Sequence, residues 1–235
     1  MNDMTLPNGN LPAINDEQWA SQGTSNEDLL IPRVLCMQDI SKLVKDEKAK
    51  SGYLVHGVTQ EILAERGQSL EIIPVTTFRE WQVMGQDERK PEKWNMLRRE
   101  LITPANEGLP VEDNERGQAI KRIKALNFFV LLANRLEEMP FLISFKKSSL
   151  YAGKKLSTHF QMSRMKKQAP AGHVFKLSTE LRSWDSYSFY ALDVQTGRPS
   201  TQHELDIART WYGVLSKQEV KVAEDDFMGE DGPRF

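Results

Sequence analysis

The chain is patterned mostly for strands. Residues 70–84 are rich in β-branched and aromatic side chains, with Pro74 placed where a bulge or bend tolerates a missing N–H. Alternation puts Thr77, Arg79, Trp81 and Val83 on one side and Thr76, Phe78, Glu80 and Gln82 on the other. Residues 121–133 contain the run Phe128-Phe129-Val130-Leu131-Leu132, the pattern of a strand covered on both faces. In residues 141–147, Phe141, Ile143 and Phe145 alternate with Leu142, Ser144 and Lys146, so a hairpin with the preceding strand is expected. Two short apolar runs within 51–64 flank a turn at 57–60 and predict a smaller hairpin. Residues 174–182 and 187–195 predict two more strands. Helical spacing appears in 148–167, with Leu150, Leu156 and Phe160 inward and Gly153 as a weak point, and in 201–215, with Leu205, Ala208, Trp211, Tyr212 and Leu215 on one period. Residues 85–117 are polar and hold three prolines, which predicts a long excursion with a short helix near 92–101. The expected class is mainly β with helices (α+β).

The ends differ from the middle. Residues 1–28 carry five acids (Asp3, Asp16, Glu17, Glu27, Asp28), no lysine or arginine, and a scatter of Asn, Gly, Pro and Ser, so they read as a flexible acidic arm. One domain is expected over 29–217, followed by an acidic tail over 218–235. No apolar run reaches membrane-spanning length and no signal peptide is apparent, so a cytoplasmic location is the expectation. Cys36, the only cysteine, excludes an intramolecular disulfide and reads as a small residue of an apolar run.

Charge changes the picture further. Between Glu138 and Glu180 there is no acidic residue, yet the stretch holds eight lysines and arginines, two histidines and five aromatic rings, in a chain of net charge -2. Cations of one sign gathered beside rings suit a polyanion whose bases can stack. The candidate phosphate contacts are Arg79, Lys146, Lys147, Lys154, Lys155, Lys176 and Arg182; Trp81, Tyr151, Trp184, Tyr187 and Tyr190 are the candidate stacking platforms. Phe145 shares a face with Phe141 and Ile143, which points to the core, yet it also lies among the basic residues, so its role stays open between core and stacking platform. In the tail, Asp225, Asp226, Glu230 and Asp231 surround Phe227 and precede the terminal Phe235, a pattern that suits docking to a basic pocket on a partner.

Catalytic signatures are missing. There is no P-loop, dinucleotide fingerprint or paired Cys-x-x-Cys. His203-Glu204-Leu205-Asp206-Ile207 lacks the second histidine of a zinc protease, so His203 and Glu204 read as exposed residues of an early helical turn. The acid pairs Asp87-Glu88 and Glu112-Asp113 read as solvated loop charge. No enzymatic activity, metal or cofactor is expected.

Several segments resemble the single-stranded DNA-binding proteins of tailed bacteriophages. They are Leu30-Ile31-Pro32-Arg33 leading to lysine-rich 42–52, Leu70-Glu71-Ile72-Ile73-Pro74-Val75, Pro140-Phe141-Leu142-Ile143-Ser144-Phe145 running into Ser149-Leu150 and Lys154-Lys155-Leu156, and 187–194 followed by a final helix. The tail is similar in ending on phenylalanine, although Arg234 stands between Pro233 and Phe235. The resemblance implies an OB-fold-like small β-barrel, with 85–117 inserted as a loop over it. It further implies sequence-independent binding of single-stranded DNA in phage replication or recombination, and recruitment of replication proteins through the tail. Self-association into a homodimer stays open, as do two other classes: an annealing recombinase or nuclease accessory, and a virion or host-interaction protein whose lysines are incidental.

Overall fold

A computed structural model describes residues 31–216; the expected arm (1–28) and tail (218–235) lie outside the described residues. Among the described residues, ten strands and three α-helices make a mainly β architecture with helices, as the patterning predicts. A small antiparallel sheet joins β1 (Val34–Cys36), β2 (Leu54–His56) and β3 (Ile62–Ala64), with the four-residue α1 (Lys42–Lys45) between the first two. β2 and β3 are the small hairpin expected within 51–64.

The larger sheet is organised by one long strand. β4 (Leu70–Gln86) pairs first with β9 (His173–Trp184), then along most of its length with β7 (Gln118–Leu132), and near its end with β5 (Trp94–Leu101). Its register with β7 shifts between Pro74 and Thr76, so the proline sits at a bulge. β7 also takes β6 (Glu112–Glu115) at its start and β8 (Phe141–Lys146) at its end, while β10 (Tyr187–Pro199) pairs with β9.

The expected helix near 92–101 is not formed. Those residues are β5, antiparallel to the end of β4. Lysine, glutamate and arginine favour helix in isolation, but neither face of this segment has an apolar stripe to bury, and the open edge of β4 satisfies its backbone instead.

Two apolar cores lie on opposite sides of β4 and β7. One gathers Ile72, Phe128, Val130, Phe141, Ile143, Phe145, Leu177 and Val194, covered by α2 (Leu150–Met165). Gly153 is what lets α2 sit there, because a Cβ at that position would lie 2.7 Å from the Cβ of Phe145. The other core, with Val75, Phe129, Leu131 and Leu142, lies under α3 (Gln202–Leu215). Within α3 the spacing holds for Ala208 and Leu215, whereas Tyr212 is exposed. Glu204 departs from expectation. It is buried, accepts hydrogen bonds from the Thr201 N–H and hydroxyl in a capping box, and pairs with Arg198 at 2.6 Å.

β1 links the two sheets. The Leu142 N–H donates to the Pro32 carbonyl at 2.8 Å, next to a parallel bridge between Arg33 and Leu142. On the other side the Gln38 amide stands in for a strand, donating to the Tyr190 carbonyl and accepting from the Tyr190 N–H. β1 therefore fills the space between β8 and β10.

Candidate nucleic-acid interface

The far end of β4 and the start of β7 extend beyond both cores as a blade whose two faces differ. On one face, Trp81, Val83 and Ile120 form a small core closed by Ile102. Trp81 is 5% exposed, and its indole N–H donates to the Asn106 carbonyl at 3.1 Å. This overturns Trp81 as a stacking platform: residues 102–111 fold back over it, with the Ile102 N–H on the Arg79 carbonyl and the Arg122 N–H on the Val111 carbonyl. Arg79 pairs with Glu107 at 2.5 Å on the same covered face. Arg122 is buried against Asp113 and Glu115, so Asp113, which read as solvated loop charge, helps to clamp the excursion to the blade.

The opposite face carries a groove of about 220 Å³. Strand registers explain which side chains meet there. Gln82 lies opposite Ile123, and Met84 opposite Met96; Ser144 and Lys146 continue the same face on β8. Arg33 and Leu142 border it on one side, and Phe189 and Tyr190 of β10 on another. α3 covers the lower half of this face, over Phe129 and Leu131, which leaves the upper half as the groove.

Polar groups are built into the floor. Gln82 is 1% exposed, and its amide donates to Glu80 at 3.1 Å. Buried Arg33 donates to the Ser144 hydroxyl at 3.2 Å, which donates in turn to the Asn127 side-chain oxygen at 2.6 Å. The Asn127 Nδ2 is buried with no hydrogen-bond partner among the described residues, a costly arrangement in a dry site. Lys146 and Lys147 stand at the margin. Lys147 adopts φ 48, which turns the chain from β8 toward α2. Burial of its ammonium lowers its pKa, and repulsion from Lys146 and Lys121 adds to the shift.

The other predicted residues divide into groups. Lys146, Lys147 and Tyr190 reach the groove, Tyr190 with its hydroxyl held by Arg66 and its ring over Gly52. Trp184 (71% exposed) and Tyr187 (61%) are directly paired at the β9–β10 tip and present two rings together. Arg182 pairs with Glu180 and donates to the Ser148 carbonyl, just beside the groove. Tyr151, Lys154 and Lys155 lie on exposed positions of α2 outside the groove lining; Lys155 pairs with Asp193 at 2.8 Å and sits 5.3 Å from the Tyr151 ring. Lys176 is exposed on β9, in register with Glu71. The basic stretch is thus divided among the groove, the α2 surface and β9. Arg33, Gln82, Met84, Met96, Ser144 and Phe189 were not among the predicted residues. The available signal was the Gln82 face of β4, read correctly by alternation but passed over for the side holding Arg79 and Trp81.

Cys36 borders the groove with its thiol pushed up to about 12 by burial, which leaves it protonated and inert. Among the described residues no cluster of His, Cys, Asp or Glu is placed to hold a metal ion, and no helix is long and apolar enough to cross a membrane.

Fold and groove together define a β-rich protein with a cation-edged, partly apolar cleft. The chain belongs to the Pam3 phage gp34-like protein family, whose model matches residues 7–221, and so to a family of bacteriophage proteins. No curated protein and no solved structure matches it.

Proposed function

We propose that this protein binds single-stranded DNA in phage replication or recombination and catalyses no reaction. The observation that carries the reading is where the cleft lies relative to strand order. β4 pairs with β7 and β9, β7 with β8, and β9 with β10. Taken in chain order as first to fifth strands, these pairings resemble those of an OB fold, with β1 filling the space where its third and fifth strands would meet. OB folds bind oligonucleotides across the second and third strands, between the loop joining the first to the second and the loop joining the fourth to the fifth. The equivalents here are β7 and β8, the 87–117 excursion and the Trp184–Tyr187 tip. The groove with Ile123, Ser144, Lys146 and Lys147 lies on those strands, and Met96 of the excursion forms one wall. Cations would take phosphates, and the exposed rings of the tip would stack on bases of any sequence. The acidic tail, with Asp225, Asp226, Phe227, Glu230, Asp231 and Phe235, would recruit replication partners, and its charge suits a basic site on another protein.

The test is fluorescence anisotropy of a labelled oligo(dT) at two salt concentrations. Affinity should fall steeply as salt rises, with a slope of roughly 0.7 per phosphate neutralised. Lys146→Glu with Lys147→Glu should cost about tenfold or more and flatten that slope by about 1.4. Absence of binding at low salt would refute the reading.

A further inference from the structure

We propose that the groove holds a seat for one unpaired nucleobase, so that a single position along the bound strand depends on its base while the rest do not. This rests on the single-strand reading above and narrows it to a defined subsite. The seat is bounded by Gln82, Met84, Met96, Ile123 and Ser144.

Size comes first. A volume of about 220 Å³ lies below the ~300 Å³ at which pockets for drug-sized ligands begin, and it suits one ring system rather than two. The chemistry of the walls fits the same occupant. Met84, Met96 and Ile123 are apolar and two of them are thioethers, which adapt to a flat face and make favourable contacts with aromatic rings. A base also has a polar rim, and burying that rim requires partners. Gln82 supplies an amide on the floor, 1% exposed and fixed by its donation to Glu80. Ser144 supplies a hydroxyl held between Arg33 and Asn127. A buried amide beside a half-buried hydroxyl, each fixed by hydrogen bonds, is not the surface of a track that only slides along phosphates. A purely electrostatic track would present mobile lysines on a solvated face, as α2 does with Lys154. Here the cations Lys146 and Lys147 stand at the margin instead, where the phosphate attached to a seated base would lie.

The exposed Trp184–Tyr187 pair and the seat therefore differ in kind. Stacking on an open ring tolerates any base, whereas a buried amide that loses its partner is penalised.

The seat is tested with a dT strand of about twelve nucleotides in which one abasic residue is moved along the sequence, with affinity read by anisotropy on the full chain. One position should stand out, with Kd raised about tenfold, and its neighbours should change little. Gln82→Leu should shrink that penalty toward the level of the neighbours. Met96 lies on the exposed strand β5 and outside the apolar cores, so Met96→Ala repeats the test without disturbing the fold. A flat abasic profile with salt-dependent binding intact would overturn the seat and leave strand binding standing. A penalty that persists unchanged in both variants would place the sensitive position elsewhere and also overturn it. No binding of any oligonucleotide at low salt would overturn both readings.

Discussion

Glu204 shows how a residue's neighbours decide its role. Its sequence context, His203-Glu204-Leu205-Asp206-Ile207, raised a metalloprotease motif and dismissed it, leaving a surface acid at a helix start. Ile207 cannot ligate a metal, and the Glu204 side chain is not at the surface but 3% exposed. Its carboxylate accepts from the Thr201 backbone and hydroxyl while Arg198 closes over it, and Arg198 first, with the Thr201 bonds, lowers its pKa to about 2. Serine, threonine or asparagine three residues ahead of a glutamate is a capping-box signature, so Thr201 was a legible signal for this role. A carboxylate whose folded pKa is depressed contributes stability that is present above its unfolded value of 4.5 and is lost as pH falls toward 2. Glu204→Gln should therefore destabilise the protein at pH 7 by ~2 kcal/mol, seen as a Tm lowered by ~4–8 °C. The gap from the parent protein should close as both are titrated from about pH 4.5 toward about pH 2. A gap that stays constant over that interval would show that the charge of Glu204 does not matter.

At the scale of elements, legibility followed burial. The run 128–132 and the alternation of Phe141, Ile143 and Phe145 announce β7 and β8 because each residue is committed to one core or the other. β5 was unreadable for the converse reason: most of its residues are exposed, and its conformation comes from β4 alongside it. Gly153 sits between these cases. In sequence it weakens a helix by about 1 kcal/mol relative to alanine, and it looked like a defect of α2. In the fold it is the contact point with β8, since a Cβ would meet the Cβ of Phe145 at 2.7 Å and the Cδ1 of Leu126 at 3.1 Å. The first of these atoms is fixed to the backbone of a buried strand and cannot yield. Overpacking costs typically 1–3 kcal/mol, which exceeds the propensity gained. Gly153→Ala should lower the denaturant midpoint and leave helix content unchanged by circular dichroism; a raised midpoint would mean that α2 moves away from β8 at little cost. The groove was the least legible feature, because its lining comes from β1, β4, β5, β7, β8 and β10 and no local pattern joins them.

On the scale of the molecule, the 87–117 excursion separates the two large cores from the groove to which strand binding is proposed. Neither large core takes a residue from it, whereas Trp81 loses its cover and Arg122 its acidic partners if it is absent. Gly85 faces Ile120 in register, which sets Gln86 opposite Ala119, so β4 can be joined to β7 directly by a two-residue Asn-Gly turn in place of 87–118. Such a protein should fold, with a stability loss on the order of 3 kcal/mol from uncovering the Trp81 face, and its tryptophan emission should shift to the red. Its groove, however, would lack the Met96 wall, and a strand lying across β7 and β8 would be open to solvent on that side. Affinity for oligo(dT) should fall about tenfold while the salt slope, set by Lys146 and Lys147, stays close to that of the parent protein. Loss of slope together with affinity would mean that cations of the excursion hold the phosphates. Unchanged affinity would mean that the strand never enters the groove and runs instead over the Trp184–Tyr187 tip and the basic face of α2.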